Sequence, residues 1–170
     1  MIAPVRVGVI GVGALGWHHA RHLASMPEAT LVGVYDIRPE RAAQVAASLG
    51  TVACGSREEL LERASAVTIA VPTSVHAEVG LAALGAGRPV LMEKPMATSV
   101  AEADALVDAA ERNGVLLQVG HIERFNPALL AKEPIACAPM FFCPPLRKEN
   151  RCRLRWAVSD CTNSDGCRSS

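Results

Sequence analysis

The chain has 170 residues, of which 50% are hydrophobic and 4% aromatic, and its formal net charge is zero. This length suits one domain with a substantial core, and a core of Val, Ala, Leu and Ile is typical of parallel strands covered by helices. The zero net charge does not favour nucleic acid or an anionic membrane as a partner, and no stretch reaches the ~18–20 apolar residues of a membrane span.

Strand and helix patterns alternate through the first 120 residues. In chain order they predict strand Val5–Ile10, helix 15–26, strand 31–35, helix Pro39–Leu49, a short strand near 51–53, a small helix opened by a capping box at Ser56 and Glu59, strand 66–71, helix 74–86, strand 89–92, a helix opened by a second capping box at Ser99 and ending at Arg112, and strand 115–119. This order predicts an α/β fold, a doubly wound parallel sheet built from right-handed βαβ units.

The first predicted strand leads directly into the glycine-rich turn Gly11-Val12-Gly13-Ala14-Leu15-Gly16, which opens the first predicted helix. This strand–turn–helix context is typical of a dinucleotide-binding fingerprint. Gly11 permits the tight turn, Gly13 lets the backbone approach a pyrophosphate, and Gly16 lets helix and strand pack closely. The N–H groups at the helix start, around Ala14 and Leu15, are then available to phosphates. The alternative is a glycine-rich turn without a ligand.

Asp36 ends the second predicted strand, 20 residues after Gly16. A carboxylate at this position can accept hydrogen bonds from both ribose hydroxyls of an adenosine and would repel a 2′-phosphate, so it favours NAD over NADP. Arg38 weakens this preference, because a guanidinium can stack on adenine or pair with a phosphate. The alternative interpretation of Asp36 is an N-cap for the helix that begins at Pro39, and the two roles are compatible.

Polar residues follow two further predicted strands, at the sheet edge where ligands bind in open α/β folds. After the first come Val71, Pro72, Thr73 and His76, which we interpret as cofactor-binding. Here Pro72 makes a rigid turn and Thr73 can cap the next helix. The alternative is a capped helix start with an exposed histidine.

After the next strand come Glu93, Lys94 and Pro95. Glu93 and Lys94 are predicted to contact the cofactor, and Lys94 is the candidate catalytic residue. It could donate a hydrogen bond to a substrate hydroxyl, or transfer a proton if a neighbouring cationic nicotinamide lowers its pKa. The alternative is a solvated surface pair.

The last predicted strand is followed by the polar segment 120–127, in which His121, Arg124 and Asn126 are candidate substrate-binding residues. A polar linker would have the same composition.

No metal site is predicted. His18 and His22 are spaced i, i+4 on the first helix but lack a carboxylate partner, and the neighbouring His19 can instead line the cofactor side. Five of the six cysteines lie after residue 134 without a CxxC pair, which fits neither a zinc ribbon nor a cytosolic set of disulfides.

The pattern of alternating elements ends near Pro134. Residues 1–133 hold 11 Lys or Arg against 14 Asp or Glu, whereas residues 134–170 hold 6 against 3. Prolines and a Lys/Arg cluster interrupt the second part, so a short strand at 140–142 is its only candidate element and disorder is expected.

The motifs and their order resemble the glucose–fructose oxidoreductase/inositol dehydrogenase/MocA family of NAD(P)-dependent oxidoreductases. The matching pieces are the glycine turn, Asp36, the 71–76 segment, Glu93-Lys94-Pro95 and the 120–127 segment, and they cover about residues 3–133. The resemblance implies a Rossmann-like domain with Lys94 near the nicotinamide and the reacting carbon. The sequence of residues 120–127 is similar to that of the branch that acts on nucleotide-activated amino sugars, such as UDP-N-acetylglucosamine 3-dehydrogenases.

The resemblance also sets expectations for the domains. We expect a dinucleotide-binding domain at 1–122, the start of a linker or substrate domain at 123–142, and an aberrant tail at 143–170 that a frameshift near 142–143 would explain. The family's second, substrate-binding domain is then absent. Family members form homo-oligomers, which is doubtful for such a chain.

The function expected is the NAD-binding half of an enzyme that transfers hydride between nicotinamide and a secondary alcohol of a sugar or sugar nucleotide. Alone, the chain would be weakly active or inactive. The alternative is a non-enzymatic NAD-binding or sensing module. The N-terminus carries no secretory pattern, so the cytoplasm is the expected location.

Overall fold

A computed structural model of the chain describes residues 3–127. Its five strands form one parallel sheet in the order β2-β1-β3-β4-β5. The strands are β1 Val5–Ile10, β2 Ala29–Tyr35, β3 Ala66–Ile69, β4 Val90–Met92 and β5 Leu117–Val119, and the α-helices are α1 Ala14–Ser25, α2 Pro39–Leu49, α3 Arg57–Arg63, α4 His76–Gly85 and α5 Val100–Asn113. Short 3₁₀ turns cover Thr73–Val75 and Ile122–Phe125. The strand predicted at 140–142 and the tail predicted at 143–170 lie outside the described residues.

Both predicted capping boxes are confirmed. Ser56 accepts a hydrogen bond from Glu59 N at 3.1 Å, and Ser99 accepts one from Glu102 N at 3.2 Å. Each glutamate reaches back one residue further than in the standard box, to the N–H of the residue before the serine. These local contacts begin α3 and α5 where the sequence pattern places them.

Predicted and observed bounds differ by two residues at β2, which begins earlier, at β3, which ends earlier, and at β5, which begins later. Two further differences have a local cause. Where a strand is predicted near 51–53, the structure has a single bridge between Val34 and Ala53. Pairing with β2 stops there because Ser56, three residues later, already caps α3. The helix predicted from residue 74 starts at His76, since Val75 N bonds to the Pro72 carbonyl at 3.0 Å and closes a tighter 3₁₀ turn first.

The helices cover both faces of the sheet, as the doubly wound prediction requires. Residues of α3, α4 and α5, such as Leu60, Leu84 and Leu106, are fully buried together with Val67 and Ile69 of β3. Residues of α1 and α2 are buried in a second cluster against the other face, and its members are Val9, Val12, Ala20, Val34, Val45 and Ala46. Within residues 3–127, every helix is too short or too polar to cross a membrane.

The chain divides into two compact units, of which the first ends at Glu123 and the second begins at Arg124. The first unit contains the sheet and all five α-helices. The second unit is described only through residue 127.

Candidate functional site

The carboxyl ends of the strands lie side by side along one edge of the sheet. Backbone hydrogen bonds continue across this edge just beyond the strands: Gly11 N to Tyr35 O at 2.7 Å, Ala70 N to Ile10 O at 2.9 Å, Glu93 N to Ile69 O at 3.0 Å, and Gly120 N to Met92 O at 2.8 Å. The loops that follow the strands are therefore neighbours. The strand order reverses between β1 and β3, and ligands of open α/β sheets bind at such a switch point.

The glycine turn after β1 is closed on two sides and open on a third. Gly11 has φ +82°, and a Cβ there would lie 2.8 Å from the Ala70 carbonyl oxygen. A Cβ on Gly16 would lie 1.8 Å from the carbonyl oxygen of Gly11, so only glycine allows α1 to start this close to the strand. A Cβ on Gly13 would meet no atom of residues 3–127 within 4 Å. As far as these residues are concerned, the space above Gly13 is free for a ligand to approach the backbone.

The start of α1 suits an anion. Gly13 is the N-cap residue, no side chain caps the helix, and its first turn contains no acidic residue. The backbone N–H groups of a first helical turn lack intrahelical partners, and the helix dipole adds partial positive charge there. Leu15 is 60% exposed in this turn, which gives the anion site an apolar neighbour.

Asp36 joins the end of β2 to the glycine turn. Its carboxylate is only 8% exposed and accepts hydrogen bonds from Val12 N at 2.9 Å and from Arg38 N at 3.0 Å. A carboxylate has about four acceptor positions, so lone pairs remain for a ligand's hydroxyl groups. Arg38, not Asp36, is the N-cap residue of α2, so the N-cap interpretation of Asp36 is wrong. The reason is that Asp36 Oδ1 binds the N–H of Arg38 itself.

Two neighbours of Asp36 were missed in the sequence. Ile37 is 86% exposed beside the carboxylate, and an apolar residue directly after the acidic strand end was the available signal. Arg41, in the first turn of α2, donates from Nε to the Val12 carbonyl at 2.8 Å. This hydrogen bond links α2 to the glycine turn, and the local sequence contains no signal for it.

Val71, Pro72 and Thr73 follow β3 at the switch point. The position of a Cβ on Gly11 lies 2.8 Å from Val71 Cγ1, so this segment directly adjoins the glycine turn. His76 is 1% exposed, and its ring nitrogens lie 2.8 Å from the Pro95 carbonyl oxygen and 2.9 Å from the Val71 carbonyl oxygen. The alternative of an exposed histidine is wrong, because the ring is enclosed between two loops.

Glu93 and Lys94 are adjacent, but Glu93 is buried and Lys94 is exposed. Glu93 is 9% exposed, and its Oε1 lies 2.7 Å from His19 Nε2 on α1. Lys94 is exposed, with no hydrogen bond or ion pair from its amine to any of residues 3–127. The solvated-pair alternative is therefore wrong for Glu93, because β4 and α1 enclose its carboxylate. The Lys94 amine is left available to a ligand.

The candidate substrate residues are divided between the two units. His121 is exposed directly after β5, at the same sheet edge as Lys94. Arg124 and Asn126 belong to the second unit. Among residues 3–127, no three His, Cys, Asp or Glu side chains are grouped so that they could hold a metal ion.

Comparisons with known proteins agree with this geometry. Residues 5–121 match the family described as an oxidoreductase family with an NAD-binding Rossmann fold. The chain belongs to this family, whose members include glucose–fructose oxidoreductase, inositol dehydrogenase and MocA. The first unit is thus an NAD-binding Rossmann domain.

Several relatives are dehydrogenases. The chain is 45% identical over 125 residues to the UDP-N-acetylglucosamine 3-dehydrogenase of Acidithiobacillus ferrooxidans, a match that covers 74% of the chain and 39% of the relative. It is 40% identical over 128 residues to the scyllo-inositol 2-dehydrogenase (NAD(+)) of Bacillus subtilis, covering 73% and 37%. The chain therefore spans about 40% of the length of these curated relatives.

Solved structures show the same similarity. The structure of the Acidithiobacillus ferrooxidans UDP-N-acetylglucosamine 3-dehydrogenase matches with a TM-score of 0.75 and 42% identity, over 81% of this chain and 43% of that one. GenD2 from gentamicin A biosynthesis, solved in complex with NAD, matches with a TM-score of 0.75 and 28% identity, over 81% of this chain and 40% of that one.

Proposed function

We propose that this chain binds NAD along the carboxyl edge of its sheet and supplies the cofactor half of an oxidoreductase that acts on a secondary alcohol of a sugar or sugar nucleotide. The observation that carries the proposal is the glycine turn. It is sterically closed at Gly11 and Gly16, open above Gly13, and hydrogen-bonded to Asp36.

In this proposal one group of residues binds the adenosine and a second group binds the pyrophosphate. The N–H groups of Ala14, Leu15 and Gly16 bind the pyrophosphate above Gly13. Asp36 accepts from the ribose hydroxyls and selects against a 2′-phosphate, while Ile37 and the stem of Arg38 offer apolar surface to the adenine. Arg38 Nε lies 3.4 Å from Asp36 Oδ1, so its charge is directed at the carboxylate.

The reacting end is formed by the segments after β3 and β4. We place Val71, Pro72, Thr73 and Glu93 along the nicotinamide side, with Lys94 directed at the substrate. When bound, NAD supplies the hydride acceptor. The exposed Lys94 ammonium donates a hydrogen bond to the reacting hydroxyl oxygen and stabilises the negative charge that develops there as the hydroxyl proton passes to solvent water.

The substrate class rests on the relatives. A 45% identical relative is named for UDP-N-acetylglucosamine, and others are named for inositols and glucose 6-phosphate, all of which are polyhydroxylated rings. We propose a nucleotide-activated amino sugar as the substrate, with His121 as its contact in the first unit. Arg124 and Asn126, in the second unit, stay predicted substrate-binding residues. The cofactor domain would then extend to residue 122, with the linker to substrate-binding segments beginning at 123.

Turnover needs the cofactor and the substrate to be held in the geometry of reaction, which can lower the activation barrier by about 7–11 kcal/mol. We expect the chain by itself to bind NAD and to turn over weakly, because most of each relative's length lies outside its match. Without turnover the same site would make the chain a non-enzymatic NAD-binding module, which is the second candidate.

Calorimetric titration with NADH and NADPH tests the proposal. We expect NADH to bind and NADPH to bind more weakly. A chain that binds neither dinucleotide overturns both candidates. An activity screen with UDP-sugars and inositols then separates the two, since turnover supports the oxidoreductase and binding without turnover supports the module.

A further inference from the structure

His76 is a buried titratable residue that the proposed chemistry does not use. It is the first residue of α4, and its side chain is enclosed between the segment after β3 and the segment after β4. Nε2 lies 2.9 Å from the Val71 carbonyl oxygen, and Nδ1 lies 2.8 Å from the Pro95 carbonyl oxygen. Both distances are normal for N–H···O hydrogen bonds.

The two contacts place the ring between the segments that carry these carbonyls. The two carbonyl groups are the only hydrogen-bonding partners of the ring among the described residues. A backbone carbonyl oxygen only accepts hydrogen bonds, so a hydrogen bond to either one needs an N–H of the ring. A phenylalanine ring would fill a similar space without a donor, so hydrogen bonding and packing can be tested separately.

We propose that His76 is a positioning residue, whose ring lies between the Val71 and Pro95 carbonyls and thereby holds the Lys94 segment beside the segment after β3. The hydrogen-bonding part stands on the contacts alone. The consequence for Lys94 rests on the proposed function. Lys94 precedes Pro95 directly, so a ring bonded to Pro95 fixes the backbone from which the lysine extends.

The positioning role is tested by H76F, which keeps a ring but has no donor, and by H76Q, which keeps one donor group. Hydrogen exchange without NADH should be faster in H76F at residues 71–76 and 93–97 and unchanged in α1, with H76Q intermediate. The matched control H22F should change neither segment. Exchange at 93–97 that is unchanged in folded H76F overturns the role.

A second measurement connects the ring to Lys94. NADH should protect Lys94 from acylation in the wild-type chain, and this protection should be lost in H76F while NADH still binds. Full protection in H76F contradicts the proposal that His76 positions Lys94. Failure of NADH to bind the wild-type chain would instead contradict the proposed function and leave the exchange results interpretable.

Discussion

Two alanine substitutions in the glycine turn should lower stability to different extents, because their surroundings differ. At Gly13 an added Cβ meets no atom of the described residues within 4 Å, so Gly13→Ala should leave the fold nearly intact. Alanine is a poorer N-cap than glycine, and we expect a loss of about 0.5–1 kcal/mol of stability. At Gly16 the Cβ would lie 1.8 Å from a backbone oxygen, and overpacking against backbone costs about 1–3 kcal/mol or more.

The larger effect of Gly13→Ala should be on NADH binding rather than on stability. Its Cβ would occupy the open space through which we propose that the pyrophosphate approaches. Losing one hydrogen bond to a charged group costs about 1.5–3 kcal/mol, which is roughly a 10- to 150-fold weaker affinity for NADH. Gly13→Ala should therefore show a melting temperature within about 6 °C of wild type and greatly weakened NADH binding.

The assays are thermal unfolding by circular dichroism and NADH titration by fluorescence. Gly16→Ala is the matched control, since it should lower the melting temperature more than Gly13→Ala does. Wild-type NADH affinity in Gly13→Ala would refute the assignment of the phosphate site. A larger loss of stability in Gly13→Ala than in Gly16→Ala would refute the steric reasoning.

Three further substitutions or reactions test other parts of the chain. Asp36→Asn keeps the size of the side chain and removes its charge, so calorimetry should show NADH weakened by about 10-fold or more and the preference over NADPH reduced; an unchanged ratio would show that Asp36 does not select the cofactor. Lys94→Ala should leave NADH affinity within severalfold and abolish any turnover of a nucleotide sugar, whereas a large loss of affinity would reassign Lys94 to cofactor binding. Burial, with a smaller contribution from Glu59, raises the pKa of the Cys54 thiol, so alkylation mapped by mass spectrometry should be slow in the native chain, rise with pH and become fast in urea. Fast labelling of Cys54 in the native chain would contradict its burial.

Features that depend on neighbouring residues could be predicted from the sequence. The close approach of Gly16 to Gly11, both capping boxes and the ends of α2 and α5 involve contacts between residues at most five positions apart. Gly50 and Gly114 adopt left-handed conformations directly after these helices, as expected of glycine at a C-terminal stop. The alternation of strands and helices also predicted the parallel sheet, because βαβ units have few stable arrangements.

Features that depend on the packing of distant segments could not be predicted in this way. Asp36 was recognised, but its bond to Val12 spans 24 positions and required the pairing of β1 with β2. His76 and Glu93 were each interpreted with an exposed alternative. Their burial arises from contacts with Pro95, 19 positions away, and with His19, 74 positions away. Sequence periodicity contains no information about which loops meet at a sheet edge.

The arrangement of the sheet relates the two ends of the proposed site. Asp36 follows β2 and Lys94 follows β4, and these strands are separated by three steps of about 4.8 Å, or roughly 14 Å. The glycine turn lies between them, one step from β2 and two from β4. A ligand that contacts Asp36, the glycine turn and Lys94 together must therefore extend across the switch point with its anionic part off-centre. A dinucleotide has this form, whereas a mononucleotide would leave the Lys94 end of the edge without a partner.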